Sequence, residues 1–195
     1  MARAAWERIL RVLAEGGAMS IYAVKKKVGV SYSSCFAGMK LLEARGLILL
    51  KEVSSSSKGG VMKVYSLTFE GLLEAVRAGW TGRGAENLAD LDPIVFGKWR
   101  RISEAVPEGE AAAALVHAAR AAYGLRGEEA VRAFREAFYT IPLTRGGFSW
   151  DAWVKAIKGD GELRRAVAGI LREAYAREAS YLRSIEEAIR VLEAD

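Results

Sequence analysis

Residues 25 to 34 place three consecutive lysines, Lys25, Lys26 and Lys27, a few positions before Ser31, Tyr32, Ser33 and Ser34. Clustered ammonium groups and short hydroxyls suit binding of a polyanion by charge and hydrogen bonds; they lack the paired acid and base that bond-breaking needs. Further along, Lys40, Lys51, Lys58 and Lys63 extend the cationic set, with Phe36 and Ala37 lying between. Other reactive groups are sparse. The chain holds one cysteine, Cys35, and one histidine, His117, so it offers neither an internal disulfide nor a Cys/His zinc set. No phosphate-cradling glycine loop precedes a helix, and no nucleophile stands beside a base. Neighbouring carboxylates such as Glu128-Glu129 and Glu186-Glu187 diverge around a helix instead of converging. The expectation is a non-enzyme with no metal and no cofactor.

Charge along the chain points the same way. Residues 1–80 carry 12 Lys/Arg against 6 Asp/Glu, whereas residues 81–195 carry 17 against 18, so the net +5 is entirely N-terminal. Positive charge on one part suggests that this part meets a polyanion while the rest does something else. With 195 residues, 51% of them apolar and only three prolines, the chain is long enough for real cores and reads as helix-rich. No apolar run approaches the roughly 20 residues of a membrane span, and Glu7 and Glu15 interrupt the pattern of a signal peptide. A cytoplasmic protein without membrane contact is expected.

Helical spacing organises the cationic segment. Trp6, Ile9, Leu10 and Leu13 predict a first helix closed by Gly16-Gly17. Ser20 is placed to cap a second, with Ile21, Val24 and Val28 inward and Gly29 ending it. Ser31 is placed to cap a third, whose inward stripe is Cys35, Met39 and Leu42 and whose outward stripe is Ser33, Phe36, Ala37 and Lys40. The period then changes to two: residues 47–53 and 61–67 predict strands joined by a serine- and glycine-rich tip, and Thr68 precedes a helix over 69–78.

Two stretches carry a resemblance. "VKKKVGVSYSSCFAGMKLLEARGLI" is similar to the second helix, turn and recognition helix of winged helix-turn-helix domains of the MarR, PadR and ArsR kind, and "VYSLTFEGLLEAV" resembles the strand and Leu-Thr-x-x-Gly helix start that follow the wing. The resemblance covers residues 4–79. This chain differs in placing Phe36, Ala37 and Gly38 where such helices often carry Arg, Gln or His. It implies a mainly α protein with three helices and a β-hairpin wing at the N-terminus. The implied function is a transcriptional regulator that binds double-stranded DNA, with the recognition helix 31–45 in the major groove and the wing 48–67 on the neighbouring backbone or minor groove. The candidate DNA contacts are then Lys25, Lys26, Lys27, Ser31, Tyr32, Ser33, Ser34, Phe36, Ala37, Lys40, Lys58 and Lys63, with Phe36 or Ala37 against a thymine methyl. A DNA-organising or plasmid-partition protein, or a winged helix that docks another protein, remain alternatives.

The boundaries expected are 1–80 for the DNA-binding domain, 81–92 for a linker and 93–195 for an all-α domain that dimerises or receives an effector. Asp92-Pro93 predicts a helix start, further helices are expected over 108–123 and 128–139, residues 140–148 read as a loop, and a long last helix runs from Glu162 to about Leu192. In that helix Leu171, Tyr175, Leu182, Ile185, Ile189 and Leu192 form a heptad seam, interrupted by Glu178, which suits either an intramolecular bundle or a homodimer. The aromatics Trp99, Phe134, Phe138, Tyr139, Phe148, Trp150 and Trp153 suit either core packing or a pocket for a small-molecule effector.

Overall fold

The computed structural model describes residues 2–55 and 61–192, and it is mainly helical with one small antiparallel sheet. The order is α1 (Ala2–Gly16), β1 (Met19–Ser20), α2 (Ile21–Val28), α3 (Tyr32–Ala44), β2 (Ile48–Ser55), β3 (Val61–Leu67) and α4 (Phe69–Arg77). A 3₁₀ segment (Arg83–Leu88) follows, then α5 (Trp99–Ala105), α6 (Glu110–Ala122), α7 (Gly127–Thr144), α8 (Trp150–Lys158) and α9 (Gly161–Leu192). Three helix starts follow from hydroxyl caps. Ser20 Oγ accepts from Ala23 N–H at 3.3 Å, Ser31 Oγ from Ser34 N–H at 3.1 Å and Thr68 Oγ1 from Gly71 N–H at 3.0 Å. Gly29, at φ 70°, closes α2 by donating its N–H to the Lys25 carbonyl.

The strand order is β1-β3-β2, all antiparallel, with Met19 opposite Tyr65 and Ile48 opposite Leu67. The two-residue β1 was not expected; Met19 and Ser20 are too short a run to show a period of two, and their strand form comes from pairing with β3. A register shift lies between Leu50 and Glu52, so Lys51 has no partner across the ladder. Its ammonium instead donates to the Asn87 carbonyl at 3.0 Å and lies 4.0 Å from Asp90.

One apolar cluster runs from α1 to α9 without a break. Within it Ile9, Leu13, Val24, Met39, Leu42 and Leu67 pack beneath the hairpin, and Phe69 of α4 meets Phe134 of α7 at 5.5 Å and Phe96 at 6.2 Å between ring centroids. Residues 81–92 are not free of this packing: Ala85 and Leu88 belong to the same cluster. The expected aromatics divide. Phe134, Phe138, Tyr139, Trp99 and Trp153 are buried, and the Tyr139 hydroxyl donates to the Ile94 carbonyl at 2.8 Å. Phe148 is half-buried and Trp150 exposed.

Two local expectations need correction. Asp92 does accept from the Ile94 and Val95 N–H groups, at 2.9 and 3.0 Å, yet the turn at 93–98 does not become a helix until Trp99. The segment read as a loop from 140 is helix to Thr144, because Pro142 stands in the last turn of α7, where its missing N–H removes a single internal bond. The long last helix starts at Gly161 and is capped by Asp160, whose Oδ1 accepts from Glu162 and Leu163 N–H at 3.0 Å each.

Candidate nucleic-acid interface

The lysine triplet lies on α2 and the hydroxyls at the start of α3, two helices that pack against each other. Their mutual position is set underneath, where Cys35 is buried with its Sγ 3.7 Å from the Ile21 carbonyl, fixing the first turn of α2 against α3. Burial raises the Cys35 thiol pKa, with Lys25 opposing weakly, so the group stays protonated and serves as packing. Gly38 is required by the packing of α3 on α1: a Cβ there would lie 2.5 Å from Ile9 Cδ1. Met39 and Leu42 complete the buried stripe of α3, while Ser31, Tyr32, Ser33, Ser34, Phe36, Ala37 and Lys40 are all exposed.

The lysines differ in their freedom. Lys26 and Lys27 are exposed in the last turn of α2, where positive charge also favours the helix dipole. Lys25 is half-buried, its ammonium 5.8 Å from the centre of the Tyr22 ring. Lys40 pairs with Glu43 at 2.6 Å, and that hydrogen bond raises its pKa. Lys63 is exposed on β3 opposite Val53. Lys58 lies outside the described residues.

The hydroxyls are tied to one another: Ser31 Oγ lies 3.0 Å from Ser33 Oγ and donates to Ser34 Oγ at 2.8 Å. Next to them Tyr32 and Phe36 are 56% and 44% exposed, and their rings lie 6.4 Å apart at an interplanar angle of 19°. Sequence reasoning missed Tyr22, an exposed ring on α2. Its signal was present, since in α2 it falls off the stripe formed by Ile21, Val24 and Val28.

The seam of α9 divides at Leu171, which is half-buried against the core. Beyond it Tyr175 is 76% exposed, Leu182 57% and Ile185 37%. The side chains of Ile189 and Leu192 lie outside those described. Arg177 pairs with Glu136 of α7, and residues 180–187 are exposed in succession. Elsewhere, a cavity of about 560 Å³ opens between α4 and the end of α6, walled by Leu47, Leu73, Val76, Val116, Ala119 and Leu125.

Among the described residues no group of His, Cys, Asp or Glu is arranged to hold a metal, and no helix is long and apolar enough to cross a membrane. Comparison with family models, curated proteins and solved structures gave no match to this chain.

Proposed function

We propose that this protein is a DNA-binding transcriptional regulator in which residues 1–80 form a winged helix, 81–92 a packed connector and 93–195 a helical dimerisation and effector part. Helix α3 enters the major groove, and the β2–β3 hairpin lies on the neighbouring backbone or minor groove. The observation that carries this reading is the two-sided character of α3. It buries Cys35, Met39 and Leu42 and leaves Tyr32, Ser33, Ser34, Phe36 and Ala37 exposed, on a helix packed against the lysine-bearing α2. The order helix, short strand, helix, helix, hairpin and helix, with β1 added beside β3, supports the winged arrangement.

A second copy covers the end of α9. Residues 172–183 carry three Arg against two Glu, whereas residues 184–192 carry one Arg against two Glu, so antiparallel pairing brings opposite charges together. The stretch from Tyr175 to Leu192 is about 27 Å long at 1.5 Å per residue. Pairing would link two DNA-binding parts and add their phosphate contacts. The cavity beside α4 is of a size that holds small apolar molecules and would serve an effector.

The exposed rings of Tyr22, Tyr32 and Phe36 favour one other reading, a surface that docks protein. Selection of bound fragments from random duplex DNA, followed by salt titration, separates the two. Regulator function requires a recurrent, two-fold symmetric site and binding that weakens steeply between about 50 and 200 mM salt. Failure to retain duplex DNA at low salt would overturn it.

A further inference from the structure

We propose that the site reads thymine 5-methyl groups, with Phe36 and Tyr32 as its specificity-determining residues, in place of hydrogen bonds to base edges. This rests on the reading of α3 as a major-groove helix. The strongest edge contacts are bidentate, made by Arg to guanine or by Asn and Gln to adenine. Helix α3, YSSCFAGMKLLEA, contains none of these three residue types. Apart from the Tyr32 hydroxyl, the polar side chains named as candidate contacts on α3 are engaged. Ser31, Ser33 and Ser34 hydrogen-bond among themselves, Lys40 is held by Glu43, and the guanidinium of Arg45, just past the helix, stands 5.2 Å from the centre of the Trp6 ring.

What α3 offers outward is therefore largely apolar, the Tyr32 hydroxyl excepted. Tyr32 and Phe36 are one helical turn apart, near-parallel and about half exposed, and exposed Ala37 adds a methyl beside them. Gly38, seated on Ile9, puts no side chain next to them. Of the four bases only thymine carries an apolar group into the major groove, its 5-methyl, and aromatic and alanine side chains are its usual partners. Two rings spaced along one helix face match methyls on neighbouring base steps. The lysines of α2 supply attraction to phosphate without regard to sequence.

The test uses the full chain and its selected duplex, prepared with thymine and again with uracil at every thymine position, so that only methyl groups differ. Binding to the thymine duplex is expected to be tighter by about fourfold for each methyl contacted, the equivalent of burying one methylene-sized group. Phe36→Ala should shrink the thymine-to-uracil ratio while leaving the salt dependence unchanged, and Phe36→Leu should keep part of the ratio. Because Phe36 is exposed, circular dichroism should show both variants folded. Equal affinity for the two duplexes, with steep salt dependence retained, would overturn methyl reading and leave duplex binding standing. Loss of salt-dependent binding to both would overturn the two together.

Discussion

Under the proposed DNA-binding function, changing Lys26 and Lys27 together to alanine tests whether the α2–α3 surface is the docking face. Both residues are exposed, Lys27 with its ammonium beside Gly16 of α1, and under the proposed function each neutralises one phosphate, whereas Lys51 is held by the Asn87 carbonyl at 3.0 Å and lies 4.0 Å from Asp90. For duplex DNA the slope of log K against log salt changes by about 0.9 per neutralised phosphate, so the double variant should flatten it by about 1.8. The same relation gives an affinity loss of about 60-fold near 0.1 M salt and about tenfold near 0.3 M. Lys51→Ala should change affinity by less than about twofold and leave the slope as it was, since its charge already has partners. Fluorescence anisotropy with a labelled duplex at four or five salt concentrations measures both quantities. Removing charge from the last turn of α2 also weakens its dipole interaction, by about 0.3–1 kcal/mol per residue, which thermal melts would detect separately. If Lys51→Ala flattened the slope as much as the double variant, or the double variant left it intact, the α2–α3 surface would not be the docking face.

Three further outcomes are expected. At Gly71 of α4 a Cβ would overlap the Leu47 carbonyl oxygen and lie 2.9 Å from its carbon, while at Gly169 of α9 it would meet nothing within 4 Å. Overpacking costs about 1–3 kcal/mol or more against a helix gain of about 1, so Gly71→Ala should destabilise and Gly169→Ala should stabilise in urea titrations; the same sign for both would refute the packing argument. Backbone bonds from Leu163 and Glu162 and the nearby Lys98 ammonium lower the Asp160 pKa. Its contribution to stability is thus complete above the ordinary carboxylate pKa, near pH 4, and is lost as pH falls through the lowered value. Asp160→Asn should lower the melting temperature at neutral pH and reduce the decline below about pH 4; an unchanged acid limb would remove Asp160 from that role. Leu182→Glu with Ile185→Glu should convert a dimer to a monomer in sedimentation and weaken DNA binding, and a wild-type chain that sediments as a monomer at micromolar concentration would end the proposal for α9.

Much of the helical order was legible because it depends on local rules. Ser20, Ser31 and Thr68 announced three helix starts, and the i, i+4, i+7 spacing of Cys35, Met39 and Leu42 identified the buried side of α3. What was not legible depends on partners distant in sequence. Met19 and Ser20 become a strand only because Tyr65 and Val64 lie beside them, and Lys51 is diverted by a register shift that no periodicity records. The need for a glycine at position 38 comes from Ile9 of α1, which stands against it. Pro142 and Pro93 misled in opposite directions. One is tolerated in a last helical turn, and the other opens a turn that delays its helix to Trp99. For the interface, residue types fixed which groups were available, and the mutual bonding of Ser31, Ser33 and Ser34 emerged only from their positions in space.

The aromatic contact of Phe69 with Phe96 and Phe134 bears on how such a chain can be inherited. Cutting at residue 80 would leave Phe69 facing water where two rings now stand, and would strip the 3₁₀ segment holding Ala85 and Leu88 from β3, α1 and α4. The front portion is therefore a poor candidate for transfer to unrelated proteins by gene fusion. Its evolution is tied to that of the helices behind it, and change on either side of Phe69 must be matched on the other.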